Sequence, residues 1–284
     1  MTPRLTDRAA LERARARAAR AGPALFLHTE AATEIKERLS EVNRTFTAPA
    51  IVTGWPQAWS GVVPGARVVP DAPTLALEPG AHDLIVHAMA LHWADDPVGQ
   101  LVQCRRALAP DGLFLGVMFG GRTLAELRAA LAEAEAAITG GLSPRVLPMA
   151  EIRDLGGLLQ RAGLALPVAD SVALTATYGD ALALMRDLRA MGETSALAAR
   201  PRRIAPRALF ADAARRYAAA FGAEGGRVRA SFDLIFLTGW APADSQPRPL
   251  RPGSATARLA DALGSAEHPL GDPVPPMPPR GGKS

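Results

Sequence analysis

Short, uninterrupted apolar runs alternate with longer stretches that repeat apolar residues every three or four positions along the first half of the chain. The runs cover residues 50–54, 67–69, 83–89 and 113–119. Unbroken apolarity is typical of strands that are buried on both faces of a parallel sheet. The intervening stretches carry helix signals, such as Pro97 directly after Asp95 and Asp96. The alternation predicts a doubly wound, mostly parallel α/β sheet in which the first, third and fourth runs are adjacent central strands.

The remainder of the chain predicts further helices and two more strands. Apolar periodicity predicts helices over 30–43, 123–139, 150–163, 180–191 and 206–221, and strands over 164–177 and 232–240. Thr123 and Glu126 have the spacing of a capping box at the start of the second of these helices. We therefore predict a basic N-terminal arm over 1–29, an α/β domain over 30–242, and a Pro-rich tail over 243–284. Within that tail, only 254–264 could form a short helix.

Positive charge is concentrated at the start of the chain. The net charge is +4, and residues 1–20 alone contribute that amount through six Arg against Asp7 and Glu12. The other 26 basic and 26 acidic groups balance, so we expect no nucleic-acid binding. We interpret residues 1–22 of the arm as a solvated, partly frayed helix that contributes little to folding. The alternatives are a contact with an anionic surface or a partner, and a transit peptide.

Cysteine usage and hydropathy exclude several classes of protein. Cys104 is the single cysteine, which excludes an intrachain disulfide and a Cys-rich zinc site, and we expect it to be a small core residue. There is no run of 18 apolar residues to predict a membrane span, and no apolar segment after the N-terminus to predict a secretory signal. Arg greatly outnumbers Lys, as is typical of a GC-rich bacterial genome, and we expect a cytoplasmic protein.

Two segments beside the central runs carry a family signature. Residues 82–93 read HDLIVHAMALHW, and residues 106–114 read RALAPDGLF. Together they resemble class I S-adenosylmethionine-dependent methyltransferases of the methyltransferase-11-like group, which implies a Rossmann-like sheet with helical additions. Stretches that resemble one branch of that group lie at 119–124, 139–141, 188–192, 237–240 and 250–254. That branch contains the methyltransferase-like, arginine-hydroxylase-type assembly factor of respiratory complex I, and the malonyl-carrier-protein methyltransferase is a more distant neighbour. The resemblance covers about residues 25–264.

The resemblance implies a cofactor loop after the first strand, and the sequence there departs from the family pattern. Family members place a Gly-rich loop at this point, because a bare backbone can approach the methionine and ribose parts of S-adenosylmethionine. Here residues 51–59 read IVTGWPQAW, so Gly54 is the one glycine left and Trp55 and Pro56 follow it directly. The loop is therefore degenerate.

A recognition element is also missing after this loop. Only residues 55–67 separate Gly54 from Val68, which is too short for the strand that carries the ribose-binding acid in the family. In one register Asp71 contacts the adenine amino group and Leu77 lies beside the ring; in the other, Asp71 is the ribose acid and the adenine segment is lost. Either register implies a sheet that is shortened by one strand and weak or absent binding of S-adenosylmethionine. The cofactor-binding residues implied by the resemblance are Gly54, Trp55, Asp71, Leu77 and His87.

Candidate catalytic residues lie beyond the third and fourth runs, at the mouth of the predicted crevice. The resemblance implies His92, Trp93 and Arg122. His92 either positions a substrate or acts as a general base, or it packs its loop onto the sheet; for His87 we favour packing. Arg122 either binds a carboxylate or an acidic protein segment, or is a loop arginine at a helix start. The one His-x-Glu pair begins at His28, before the sheet, so we predict no metal site.

Three functions stay open at this point. The first is an S-adenosylmethionine-dependent methyltransferase with an undetermined substrate. The second is a non-catalytic assembly protein that kept the fold and lost the cofactor. The third, implied by the complex I branch, is a hydroxylase that acts on an arginine of a partner subunit. The partner in the last two cases is a protein, and neither the substrate nor the oligomeric state follows from the sequence.

Overall fold

A computed structural model describes residues 4–247 and Gly264 of the 284. Residues Met1–Ser245 form one compact unit, and the second unit, Gln246–Ser284, lies almost wholly outside the described residues. The strands are β1 (Pro49–Thr53), β2 (Arg67–Val69), β3 (His82–Ala88), β4 (Leu108–Gly120), β5 (Ala165–Tyr178), β6 (Gly222–Ala223) and β7 (Arg227–Trp240). The helices are α1 (Arg8–Ala21), α2 (Phe26–Glu41), α3 (Pro56–Trp59), α4 (Pro97–Ala107), α5 (Ala125–Thr139), α6 (Ile152–Arg161), α7 (Ala181–Ala190) and α8 (Arg207–Ala220). Short 3-10 turns cover Leu91–Trp93 and Glu224–Gly226.

The described strands form one mixed sheet in the order β2-β1-β3-β4-β7-β5, with β6 paired to β7. Strands β2, β1, β3 and β4, which are neighbours in that order, are all parallel. Strand β7 runs antiparallel between β4 and β5. Ile51 pairs with Val86, and Val86 pairs with Leu115, so the three predicted central strands are adjacent and parallel as expected.

Helices cover both faces of the sheet, and the alternation of side chains along each strand supplies two cores. Ile51 and Val86 face a core completed by α2, α5, α7 and α8. Val52 and Ile85 face a second core completed by α4 and α6. Cys104 is fully buried in that second core, which confirms its assignment as a small core residue, and burial raises the pKa of its thiol to about 12. The doubly wound α/β class is confirmed.

Only one strand, β2, lies between β1 and β3 along the chain, as the short spacer predicts. It pairs directly with β1. Asp71, two residues after the end of β2, therefore follows the strand next to β1. This placement favours the register in which Asp71 holds the position of the ribose acid.

The predicted capping box is wrong. Helix α5 begins at Ala125, and Leu124 at its N-cap makes no side-chain cap. Thr123 instead exchanges hydrogen bonds with the backbone of Asp233, and Glu126 accepts one from Ser231 Oγ at 2.5 Å. Both side chains satisfy polar groups of β7, so the tertiary contact replaces the local one.

The interpretation of the N-terminal arm as a solvated, partly frayed helix is also wrong. Helix α1 begins after Asp7, whose carboxylate accepts a hydrogen bond from the amide of Ala10. Leu11 is fully buried, and Arg15 is 8% exposed. The exposed positions alternate with buried ones at helical spacing, so one face of the arm packs on the α/β domain. The boundaries at 30 and 242 stay a prediction, as does the tail.

Within residues 4–247, no helix is both long and apolar enough to cross a membrane. The helix considered for 254–264 and the family-like stretch at 250–254 lie outside the described residues, Gly264 excepted.

Candidate functional site

The carboxyl ends of the parallel strands carry most of the residues that the sequence singled out. Gly54 follows β1, Asp71 follows β2, His87 lies near the end of β3, and His92 and Trp93 lie on the turn beyond it. In an open α/β sheet this edge is where ligands bind. The crevice here is the space between the ends of β1, β2 and β3.

Two arginines from the N-terminal arm occupy this crevice. Arg15 Nη1 donates to both carboxylate oxygens of Asp71 at 2.9 Å. Arg8 reaches the same residue through Oδ2 at 3.2 Å and through the backbone oxygen at 2.8 Å. Burial alone raises the pKa of Asp71, but the charges of Arg15 and Arg8 outweigh it and hold that pKa below its usual value. The carboxylate is therefore ionised and already bound within the chain.

The Arg15 guanidinium lies directly on the remaining loop glycine. A Cβ added at Gly54 would overlap its Cζ and Nη1 atoms. Gly192, with φ +76°, is also covered, though less closely, since a Cβ there would stand 2.8 Å from Trp55 Cζ2 and 3.1 Å from Arg15 Cγ. Because glycine has no side chain, Arg15 and Trp55 can pack directly against the backbone at these two positions.

An aromatic cluster closes the end of the crevice beneath Gly54. Trp55 is 2% exposed, and its ring meets that of His28 edge-on with centroids 6.2 Å apart. Trp59 Nε1 donates to His28 Nδ1 at 3.0 Å. Burial lowers the pKa of His28 to about 4, so the ring is neutral at pH 7 and accepts this bond. Glu30 is exposed, and within residues 4–247 no cluster of three or more His, Cys, Asp or Glu could hold a metal.

S-adenosylmethionine does not fit this arrangement. Its ribose would need the Asp71 carboxylate, which two guanidiniums hold. Its methionine part would need the backbone at Gly54, which Arg15 covers. Both groups that the resemblance assigns to the cofactor, the Asp71 carboxylate and the Gly54 backbone, are therefore already in contact with the chain itself.

His87 is packed beneath the same crevice. Its Nε2 lies 3.3 Å from Gln100 Oε1, and the ring is 1% exposed. Burial lowers its pKa, and the hydrogen bond with Gln100 opposes that shift only in part. A cavity of about 110 Å³ remains here, lined among others by Arg8, Asp71 and His87. His87 is thus a neutral, hydrogen-bonded core residue.

A larger cavity of about 290 Å³ lies beside the crevice. His92, Trp93, Phe119, Leu127, Met185 and Glu193 are among the residues that line it. Trp93 Nε1 donates to Glu193 Oε2 at 2.7 Å, and His92 Nε2 lies 3.5 Å from the same oxygen. Burial raises the pKa of Glu193, but His92, the charge of Arg15 and the Trp93 hydrogen bond outweigh it and hold that pKa below its usual value.

The polar groups of this cavity are incompletely paired. Glu193 Oε1 and both ring nitrogens of His92 are buried without a hydrogen-bond partner among the described residues. Thr194 Oγ1 and Ser195 Oγ, on the same loop, are in the same state. A buried carboxylate oxygen without a donor is costly, so the cavity offers an acceptor for an incoming cationic donor.

The remaining sequence candidates lie elsewhere. Arg122 is exposed, its amide donates to Asp233 Oδ2 at 2.6 Å, and it borders a separate cavity over α5 and β7. Leu77 is half-buried against the core that includes Val69 and Leu101. The structure thus brings together Gly54, Asp71, His87, His92 and Trp93, and it does not bring Arg122 to them.

Sequence reasoning missed Arg8, Arg15 and Glu193. The two arginines belong to a run of arginines in which nothing local distinguishes the buried one. Glu193 follows the family-like stretch at 188–192, and its place directly after Gly192 is the one local signal that it lies at a turn. Its partner Trp93 is 100 positions away, so their pairing depends on the fold.

Comparison with known proteins places the chain in a family. A methyltransferase domain model matches residues 57–116. The protein named arginine-hydroxylase NDUFAF5, mitochondrial, of Danio rerio is 35% identical over 231 residues, 81% of this chain and 72% of that protein. The chain belongs to this NDUFAF5 family of methyltransferase-like proteins. The Homo sapiens protein of the same name is 36% identical over 70% of this chain.

More distant relatives are methyltransferases by name. A malonyl-[acyl-carrier protein] O-methyltransferase of Xylella fastidiosa is 36% identical over 63% of the chain and 58% of its own length. Among solved structures, the YcgJ protein of Bacillus subtilis is 13% identical with a TM-score of 0.49, over 75% of this chain and 99% of that one. The chain spans 57% of the human NDUFAF5 protein and 44% of the Dictyostelium discoideum one. What those longer proteins do therefore carries over only as a proposal.

Proposed function

We propose that this protein is an assembly factor of the arginine-hydroxylase type, which takes an arginine side chain of a partner polypeptide into the cavity beside His92 and Glu193. The partner class is a subunit of respiratory complex I, as the family branch implies. S-adenosylmethionine-dependent methyl transfer is not part of this function. The observation that carries the proposal is the Glu193 carboxylate, whose buried Oε1 has no donor among the described residues.

The chemistry of the cavity supports a guanidinium in particular. An arginine presents a planar fork of donors that matches a carboxylate, and its methylene stem packs on apolar surface. Phe119, Leu127 and Met185 supply such walls. Glu193 Oε1 is buried, and the pKa of this carboxyl is held below its usual value, so the ionised group can pair with the guanidinium.

The arginines that line the cavity pair with other acids or lie exposed, so Glu193 is the group left to bind an incoming guanidinium. Arg145 pairs with Glu135 at 2.6 Å, and Arg200 pairs with Asp7 at 2.8 Å. Two of the three arginines that line the cavity are thus neutralised within the chain. Arg189, the third, is exposed on α7 and faces solvent at the rim.

Binding of N-acetyl-L-arginine methylamide tests the recognition step. The indole N–H resonance of Trp93 reports on the site, because this group donates to Glu193. We expect the arginine probe to shift that resonance in a saturable way and the citrulline analogue, which is neutral, to leave it unchanged. Glu193→Gln should abolish the response, whereas Glu224→Gln, at an exposed acid, should keep it. An equal response to citrulline would contradict the proposal.

The assembly role is tested in the cell of origin. Replacing the gene with the Glu193→Gln form should lower the amount of assembled complex I on native gels, and the Glu224→Gln form should not. Normal assembly of complex I in the Glu193→Gln strain would contradict the proposed assembly role.

A further inference from the structure

The N-terminal segment bridges the crevice and the cavity. We propose that residues 5–21, here called the strap, are an intramolecular occupant of the cofactor crevice that also fixes the loop 191–200, so that loosening the strap at Asp71 opens both sites. This inference concerns the state of the crevice and stands whether or not arginine is the ligand of the cavity.

At the crevice, the strap contacts the groups that the resemblance assigns to the cofactor. Arg15 and Arg8 bind the Asp71 carboxylate that the family uses for ribose hydroxyls. Charge-assisted bonds from guanidinium are stronger than those from a hydroxyl, so a nucleoside has to displace Arg15 before it binds. The Arg15 guanidinium also covers the Gly54 backbone, which removes the second contact surface.

At the loop 191–200, the strap supplies both backbone and ionic contacts. The Asp7 amide donates to Ala196 O at 2.7 Å, and the Ala198 amide donates to Leu5 O at 2.8 Å. The Asp7 carboxylate pairs with Arg200 at 2.8 Å. Leu11 packs in a small core with Trp93, Leu147, Ala196 and Leu197. The loop that carries Glu193 is therefore held largely by the strap.

The turn that carries His92 and Trp93 is the third attachment. Thr6 Oγ1 donates to Trp93 O at 2.8 Å, and the amides of Leu5 and Thr6 donate to Asp95 Oδ1 at 2.8 and 2.7 Å. Both walls of the cavity, at Trp93 and at Glu193, thus attach to one segment of seventeen residues. A displacement of that segment reaches both walls.

The occupant is imperfectly bound, which makes it displaceable. Arg15 is 8% exposed, yet its Nε and Nη2 have no hydrogen-bond partner among the described residues. Leaving charged donors buried and unpaired is unfavourable, so the closed state does not use all the binding capacity of Arg15. The opposite face of α1, with Arg13 and Arg17, is exposed.

Hydrogen exchange and calorimetry on the full chain test the strap. In Arg15→Ala, we expect amides of 53–59 and of 191–198 to exchange at least about tenfold faster than in the wild type. We also expect S-adenosylhomocysteine to bind the variant with a Kd at least about tenfold lower than the wild-type value, because Gly54 is uncovered and one of the two guanidiniums on Asp71 is removed. Arg17→Ala, at an exposed position of the same helix, should match the wild type in both measurements.

A second variant covers the case in which Arg15→Ala does not fold. Arg15→Met combined with Asp71→Asn removes both buried charges at similar volume, and the same acceleration at 191–198 is expected. Faster exchange confined to 8–21 in either variant would overturn the coupling. If Arg15→Ala binds S-adenosylhomocysteine no better than the wild type, the strap is not what keeps the cofactor out of the crevice. Neither measurement uses the arginine probe. The test of the strap therefore stays valid even if the protein does not bind arginine as proposed above.

Discussion

Arg15 and Asp71 form a buried ion pair at 2.9 Å across 56 positions of sequence, and Asp71 lies at the carboxyl edge of the sheet, two residues after β2. Both side chains are less than a tenth exposed. The pair ties the basic arm, which the sequence presents as a solvated extension, to the functional edge of the sheet. It also explains why one arginine of the arm differs in role from its neighbours.

Breaking this pair from one side should destabilise the protein strongly. Arg15→Ala leaves the Asp71 charge buried with only Arg8 beside it, and losing one partner of such a pair costs about 3–5 kcal/mol in the free energy of unfolding. Arg15→Met with Asp71→Asn should cost less than Arg15→Ala, because the charge left without a partner, on Arg8, is 24% exposed, whereas the Asp71 charge left by Arg15→Ala is buried. Urea unfolding measures both values. Arg17→Ala, which is exposed, should stay within about 0.5 kcal/mol of the wild type.

Deletion of residues 1–21 should lower the melting temperature by about 10 °C or more, since roughly 1 kcal/mol corresponds to about 2–4 °C at this size. The deletion removes the buried Leu11, Ala14 and Ala18 together with the cations on Asp71. Calorimetry measures the shift. A triple variant with Ala at Arg13, Arg17 and Arg20 loses only exposed charge and should melt within a few degrees of the wild type. A small shift on deletion would restore the interpretation of a dispensable arm.

Stability should fall as the pH drops from 7 to 4.5, and His28 is a principal cause. Its pKa is lowered from 6.5 to about 4 in the folded protein, so in this window the unfolded state binds a proton that the folded state refuses. The contribution is complete above the unfolded pKa and is lost progressively as the pH falls towards 4, up to about 3 kcal/mol.

His28→Gln removes this titration and should flatten the dependence of unfolding free energy on pH. Urea denaturation at pH 7 and 4.5 measures the difference for both proteins. Part of the slope should persist, because burial also lowers the pKa of His87. The Asp71 pair acts at lower pH, since the pKa of its carboxylate lies below the ordinary value. An unchanged slope in His28→Gln would contradict the assignment.

S-adenosylmethionine should bind the unmodified protein with a Kd at or above about 100 µM, or not measurably. Arg15 and Trp55 fill the space that its ribose and methionine parts need. Trp55→Gly should cost stability, about 3–5 kcal/mol as for other large aromatic truncations, without restoring tight binding. Isothermal titration measures the affinities. Micromolar binding by the wild type would contradict the claim that Arg15 and Trp55 block the crevice.

Local pattern was enough to predict the central sheet. The apolar runs at 50–54, 83–89 and 113–119 are parallel neighbours in the structure, because strands buried on both faces must be apolar throughout. The short spacer after Gly54 likewise predicted that one strand is missing, since chain length limits what can fold there. The positions of Asp71, His92 and Trp93 at the carboxyl edge follow from the same argument.

The state of the site was decided by tertiary structure. A run of arginines at the start of the chain has a helical period, but that period does not reveal which surface its buried face meets. The contacts of Arg15 with Asp71 and of Trp93 with Glu193 join residues 56 and 100 positions apart, so they exist only in the folded chain. The sequence by itself determined which elements form and which edge of the sheet carries the polar residues, because strand burial and chain length are local properties. Only the fold decided that Arg15 pairs with Asp71 and covers Gly54, because ion pairs between distant residues depend on geometry that no local pattern contains.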